Sequence, residues 1–291
     1  MVRVQGRRPV NEIAAAFLAA CRDEIEAPKP GNVHVFADGH GMTADDFLRS
    51  AEAAAPVLCA PMCPVGLRIL AAVEATFAAA GMNTNLGIIL LCAPLAAAAE
   101  TSDDLRHALH KTLAGLTLAD ASCAFRAILR ASPAGLGTVS RHDVRDDARV
   151  TLLEAMREAA GRDRIAFQYS FDFIDIFETG LGALADARMR GWPAPWPAVN
   201  VYLDFLAGFP DSHIARKHGL DTAVLIQNEA REVQKRYKNA ANPEEALEDL
   251  LIFDRRLKAS GLNPGTSADL TVATVFAGRL TRILINRRND G

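Results

Sequence analysis

The heptapeptide FQYSFDF, residues 167–173, decides the fold class. Phe167, Tyr169, Phe171 and Phe173 alternate with Gln168, Ser170 and Asp172. Strict alternation of apolar and polar residues marks a half-buried strand. A strand needs a partner, and no other segment of the chain offers one. The flanks follow a helical period instead, so the stretch reads as helix and the chain as all-α.

The same period holds on either side. NEIAAAFLAACRDEIEA, residues 11–27, sets Ile13, Phe17, Cys21 and Ile25 four apart behind Asn11, a candidate N-cap. Further helical patterns cover 43–58, 62–80, 85–99, 103–130, 147–160, 163–188, 196–208, 220–238, 243–260 and 267–285. Alanine, the best helix former, fills many of them, and Pro, Gly and Asn separate them. Residues 135–148, GLGTVSRHDVRDDA, read as a loop. The expectation is one compact helical domain over 1–291, built from roughly ten to twelve helices.

Bulk properties exclude several function classes. The net charge is −3, with 32 basic and 35 acidic residues well mixed. No basic stripe points to nucleic acid and no polybasic arm to a membrane surface. The longest apolar run, LGIILLCAPLAAAA, is interrupted by Pro94 and, at about 14 residues, is too short to span a bilayer. The start, MVRVQGRRPVNE, lacks the apolar core of a secretory signal. Cys21, Cys59, Cys63, Cys92 and Cys123 fit neither a zinc nor a redox spacing. His107 and His110 lie three apart without an evident third ligand, so zinc is not expected. A reducing, cytoplasmic setting follows, and a homodimer is compatible with it.

Several residues could carry chemistry. Lys29 stands between two prolines in PKPGN, residues 28–32, with Gly31 and Asn32 behind it. Such an elbow holds a cation with little backbone freedom to lose, which suits a phosphate; the plainer alternative is a helix terminator with a solvated lysine. A near echo, NPGTSAD, stands at 263–269. There Gly265 and Ser267 open a helix start able to receive a phosphate, and Asp269 falls on the apolar face of Val272, Val275, Phe276 and Leu280. Thr266 to Asp269 also resembles a capping box.

Glu74 reads as inward, seven from Leu67, four from Leu70 and three from Phe77. A buried carboxylate needs a cation, a metal or a proton; the alternatives are magnesium and an arginine. In GMNTNLG, residues 81–87, Asn83, Thr84 and Asn85 could meet ribose hydroxyls, or form an ordinary helix corner. DSHIARKHG, residues 211–219, reads as a short helix capped by Asp211 or Ser212 and closed by Gly219. Its His213, Arg216 and Lys217 are either a phosphate clamp or a last-turn cation set. His40, in DGHGM, is a candidate proton carrier. The aromatics from Phe167 to Phe177 could sandwich an adenine, although a core cluster is the simpler reading.

Five ordered segments carry a family resemblance: APKPGNVH, GHGM with FLRSAEAAAPVL, AAVEATFAAAGMNTNLGIILL, DSHIARKHG and NPGTSADLTVATVF. Together they resemble the triphosphoribosyl-dephospho-CoA synthase family. The resemblance implies an all-helical transferase using ATP as ribosyl donor. The 2′-hydroxyl of 3′-dephospho-CoA would attack the ribose C1 of ATP, adenine would leave, and the triphosphate would stay on the transferred sugar. Against that chemistry, Lys29, Arg216 and Lys217 would hold the triphosphate. Glu74 and Asp269 would hold magnesium or stabilise the cationic sugar, and His40 or a carboxylate would take the hydroxyl proton.

The chain departs from the family pattern in three places. Gly41 stands where the family carries Asp before Met, Asn85 replaces His in its NTH, and the middle arginine–glycine–glutamate stretch is absent. The middle resembles a divergent branch, found in archaea and methylotrophic bacteria, tied to tetrahydromethanopterin biosynthesis. Other readings are therefore an ATP-binding enzyme with an acceptor from that pathway, a helical ADP-ribosyl hydrolase, and a nucleotide-binding protein without catalysis.

Overall fold

The computed structural model describes residues 10–131 and 144–289. In chain order the helices are α1 (Val10–Glu26), α2 (Ala44–Leu58), α3 (Val65–Ala80), α4 (Leu86–Ala98), α5 (Leu105–Ala114), α6 (Leu118–Ala131) and α7 (Leu152–Ala159). Then come α8 (Arg164–Ser170), α9 (Leu181–Met189), α10 (Trp196–Gly208), α11 (Ser212–His218), α12 (Leu220–Asn239), α13 (Leu247–Ala259) and α14 (Gly265–Asn289). A π-helical segment, Asp175–Gly180, precedes α9, and a 3₁₀ turn, Pro243–Ala246, precedes α13. The protein is all-α: isolated bridges His34–Ala37 and Gly39–Met42 are its β pairings among the described residues. The fourteen α-helices slightly exceed the expected number. The reason is that the 103–130 pattern breaks at Gly115–Thr117, and the 163–188 pattern breaks at Phe171–Phe173.

That second break explains FQYSFDF. α8 ends at Ser170, and Asp172 and Phe173 take left-handed backbone angles, φ 48° and 57°. Two consecutive non-glycine residues there are costly, and packing must hold them. Tyr169 and Phe173 both reach the core, their rings 5.6 Å apart, and the Tyr169 hydroxyl donates to the Leu90 carbonyl at 2.6 Å. The alternation thus serves a helix end and a reversal, while Phe171 stays exposed.

α4 and the first half of α14 form the centre. α4 is apolar all round and buried on every side, as such helices must be. From Gly265 to Gly278 nearly every residue of α14 is buried, against α1, α4, α9 and α10. Cys21, Cys59 and Cys92 are free thiols in this core. No single helix among the described residues is long and apolar enough to cross a membrane. The N-terminal segment read against a secretory signal, apart from its last three residues, and most of the 135–148 loop lie outside the described residues. Asn11 lies inside α1 rather than at its cap.

α3 corrects one expectation. Its inward face is Val65, Ile69, Leu70, Ala72, Val73 and Thr76, and Glu74 faces outward, exposed. The buried charge of this helix is Arg68, which donates to the carbonyls of Leu58 and Cys63 and to both oxygens of Glu100. Glu74 is therefore neither a buried ion-pair member nor a cavity ligand.

Candidate active site

The two elbows meet. Asn32 Nδ2 donates to Asn263 Oδ1 at 2.9 Å across 231 residues of sequence. Gly31 has φ +83°, and a Cβ there would lie 2.8 Å from Pro264 Cδ. Only glycine adopts that angle freely and lets the second elbow come so close. The first elbow is latched from below: Gly31 N–H donates to Asp254 Oδ1 at 2.8 Å and the Tyr202 hydroxyl to the Pro30 carbonyl at 2.6 Å. Gly31 is thus a structural pivot, not a phosphate contact.

Lys29 is fully buried beneath this junction. Its ammonium donates to the Glu24 carboxylate, to Asn32 Oδ1 at 3.1 Å and to the Val33 carbonyl at 2.9 Å. An ammonium has three donors, so all are spent inside the protein. Neither the phosphate clamp nor the solvated terminator describes it: Lys29 secures Glu24. Burial pulls the Lys29 ammonium below its usual range and the Glu24 carboxyl above its own, while their contact opposes both shifts.

Above the junction opens a cavity of about 1000 Å³. Glu24 from α1 and Asp269 from α14 both line it. Asp269 comes so close to the start of α4 that a Cβ on Gly87 would fall 2.0 Å from its Oδ2. Burial, and after it the nearby carboxylates Glu24, Asp211 and Asp163, push the Asp269 carboxyl well above the usual range; Arg216 opposes them. Two acids thus line one cavity, Glu24 paired with Lys29 and Asp269 opposed by Arg216.

The cavity also carries a basic set. Arg162 and Arg164 precede or open α8, and Arg216 and Lys217 end α11; all four line the cavity. Arg164 is held by Asp175 through two hydrogen bonds, 2.7 and 2.8 Å, and lies over the rings of Phe167 and Phe209 at 3.9 and 4.4 Å. Arg216 Nη1 is 3.3 Å from Asp163 Oδ2. Lys217 stands exposed at the mouth. His213 lines the cavity, but burial and then Arg216 and Lys217 push its imidazole down to about 4, so it is neutral near pH 7 and adds no charge to the set.

Asp211 and Ser267 hold the scaffold together. Asp211 Oδ1 accepts from His213 N at 2.9 Å and Ile214 N at 3.2 Å, capping α11 as expected. Its Oδ2 accepts from both N and Oγ of Ser267, each at 2.8 Å, so it also serves the first turn of α14. The capping-box reading of Thr266 to Asp269 gives way to this arrangement. Thr266 Oγ1 instead lies 3.0 Å from Ser212 Oγ and accepts from His213 N at 3.2 Å.

Asn83 caps α4 by accepting from Leu86 N at 3.1 Å, and Thr84 donates to Ser50 at 2.7 Å; both line the cavity. Asn85 is buried away from it, accepting from Thr76 at 3.0 Å. His40 lines the cavity with φ 57°, and its Nε2 lies 2.8 Å from the Gly31 carbonyl. A carbonyl only accepts, so Nε2 carries the hydrogen and Nδ1 is the acceptor of the neutral ring.

Of the expected site residues, the cavity gathers Asn32, His40, Asn83, Thr84, His213, Arg216, Lys217, Gly265 and Asp269. Lys29, Gly31, Asn85, Asp211 and Ser267 lie beneath it, and Glu74 is on another face. The aromatics Phe167 to Phe177 do not line it; Phe47, Phe125 and Phe209 do. Glu24 was missed although legible, since it lies seven residues after buried Phe17. No group of three or more His, Cys, Asp or Glu among the described residues is placed to hold a metal alone.

Comparison with known proteins agrees with the motif order. No curated protein matches the chain. A crystal structure from Archaeoglobus fulgidus, provisionally named a triphosphoribosyl-dephospho-CoA synthase, superposes with a TM-score of 0.63 at 24% identity, covering 79% of this chain and 96% of that one. At that identity it shows a shared fold. The family model for ATP:dephospho-CoA triphosphoribosyl transferase (CitG) matches residues 10–288, almost the whole chain. The chain, with its elbows joined under an acid-and-base-walled cavity, belongs to this transferase family.

Proposed function

We propose that the protein moves the 5-triphosphoribosyl group of ATP to the 2′-hydroxyl of 3′-dephospho-CoA and releases adenine. The observation that carries this reading is the make-up of the cavity: two acids, buried Glu24 and half-buried Asp269, line it together with Arg162, Arg216 and Lys217. A triphosphate needs the cations. A ribose that turns cationic as its base departs needs the acids, and charges already in place where the new charge develops are often the largest catalytic term.

In the reaction the bond from C1 to the adenine nitrogen breaks and a bond from C1 to the acceptor oxygen forms. The hydroxyl proton passes to Nδ1 of His40, and the departing adenine nitrogen takes up a proton. Magnesium usually binds one or two carboxylates together with substrate phosphates. The donor set also suits that habit as the alternative role: with magnesium bound, Glu24 and Asp269 would hold the ion with the triphosphate, and it would neutralise phosphate charge in place of their direct action on the sugar. The raised carboxyl of Asp269 is consistent with a group that ionises fully once a cation arrives.

Two departures from the family pattern fall outside the cavity wall. Gly41 sits in an exposed turn, and Asn85 is occupied by Thr76. Those two departures leave the wall intact, whereas the divergent middle stretch supplies part of it, from Val144 to Ala166, and so makes the acceptor the point to test. The test is incubation with ATP, magnesium and dephospho-CoA, following free adenine. Adenine should appear in step with consumed acceptor. Adenine released equally without acceptor would mean hydrolysis, and ATP binding with no adenine would refute the proposed acceptor.

A further inference from the structure

A second cavity, of about 190 Å³, lies apart from the first and shares no lining residue with it. Arg188, Arg279 and Arg282 line it, with Asp23 and the ring of Trp192. Arg188 is in the last turn of α9, where the helix dipole favours a cation. Arg279 and Arg282 lie in the second half of the long α14, at least seven residues before its end at Asn289, where no such pull exists. Arg279 Nη2 donates to Asp23 Oδ2 at 2.5 Å, but Arg279 Nε is buried without a hydrogen-bond partner.

Three guanidiniums against one carboxylate leave a local excess of positive charge, in a chain whose net charge is −3. Burial and the neighbouring Arg282 and Arg279 work against ionisation of Arg188, the signature of crowding among like charges. A buried donor without a protein partner is costly, and a cluster of this kind is relieved by an anion with several acceptor oxygens. Guanidinium forks match phosphate oxygens in pairs. The volume lies below the roughly 300 Å³ at which pockets for drug-sized ligands begin, so it suits a single phosphate group and not a nucleotide.

We propose that Arg188, Arg279 and Arg282 form a second anion site that takes one phosphate group, free or at the end of a sugar phosphate. The protein supplies its own reporter. Its two tryptophans are Trp192, in the cavity wall, and Trp196, on the adjoining helix start; neither lines the larger cavity. Inorganic phosphate and ribose 5-phosphate are titrated separately into the full chain at low salt, following tryptophan fluorescence. A saturable change is expected with at least one of them, and the tighter ligand identifies the free or the sugar-borne form.

Arg282→Gln changes an exposed residue and should fold normally. It should weaken binding about tenfold or more, as loss of a charge-assisted contact does. Arg279→Lys keeps a charge beside Asp23 but lacks Nε, and should also weaken it. Arg216→Gln, in the larger cavity, should leave the titration unchanged. No saturable response, binding in both Arg282→Gln and Arg279→Lys as tight as in the natural protein, or a response lost in Arg216→Gln would each overturn the site.

Discussion

The two polar walls of the large cavity are built on opposite plans. The wall from α1 and α14 is closed: Glu24 is 3% exposed, and its partner Lys29 is 0% exposed with every donor used. The wall from α8 and α11 is open, with Lys217 exposed and Arg216 lying against Asp163 at the surface of the cleft. Buried charges interact strongly and tolerate no missing partner, whereas exposed ones are screened and individually weak. The lesson is a division of labour. On the proposed reading, the closed wall would fix where charge can develop and the open wall would gather the substrate.

The sharpest way to break this contrast is to remove Lys29. Lys29→Met should leave Glu24 buried without its cation and destabilise the fold by about 3–5 kcal/mol, measured by chemical denaturation. Adding Glu24→Gln should return most of that loss. A Lys29→Met protein of unchanged stability but weaker ATP binding would restore the direct phosphate role.

Asp269→Asn comes next. Turnover should fall about 100-fold, within the range for losing one well-placed acid or base group, and the response to magnesium should flatten. Stability should move the other way. The folded carboxyl is raised, so its favourable contribution is complete below the unfolded value and is lost as pH rises through the folded one. The Asn variant should therefore match the natural protein near pH 4 and exceed it increasingly toward neutral pH and above. A stability gap that shrinks with rising pH would contradict the raised carboxyl.

The smallest effect belongs to the open wall. Arg216→Gln should weaken ATP binding by about tenfold at low salt, less at high salt, with the fold within roughly 0.5 kcal/mol of the natural protein. Glu74→Gln, on the outer face of α3, is the control and should change none of these quantities. If Arg216→Gln destabilised the protein as strongly as Lys29→Met, the two walls would not differ in kind.

Much of this was legible in the chain. Helix positions followed from the spacing of apolar residues, and Asp269 faced inward as its distance from Val272 and Phe276 required. Glu74 misled because α3 is rich in alanine on every side. Alanine adds little hydrophobic burial, so Leu67, Ala71 and Phe77 suggested one inward face while Ile69, Ala72, Val73 and Thr76 formed the actual one. Lys29 misled for another reason. A rigid elbow shows that a cation is held in place, but which way it points depends on a carboxylate in the preceding helix and on the latch from Asp254 and Tyr202. The basic residues Arg162 and Arg164 gave no signal, since charges beside a turn are usually solvated. Only the packing of α8 against α7, α4 and α14 brings them to the cleft.

The amide pair Asn32–Asn263 has a consequence for how the protein is made. It ties together residues separated by about four-fifths of the chain, and contacts so distant form late and slowly because the loop between them must close first. A nascent chain that has not yet delivered Asn263 to Asp269 has half of the acid pair and a loose first elbow. The cavity is therefore complete only when synthesis has nearly finished, and products truncated before Asn263 lack part of its lining.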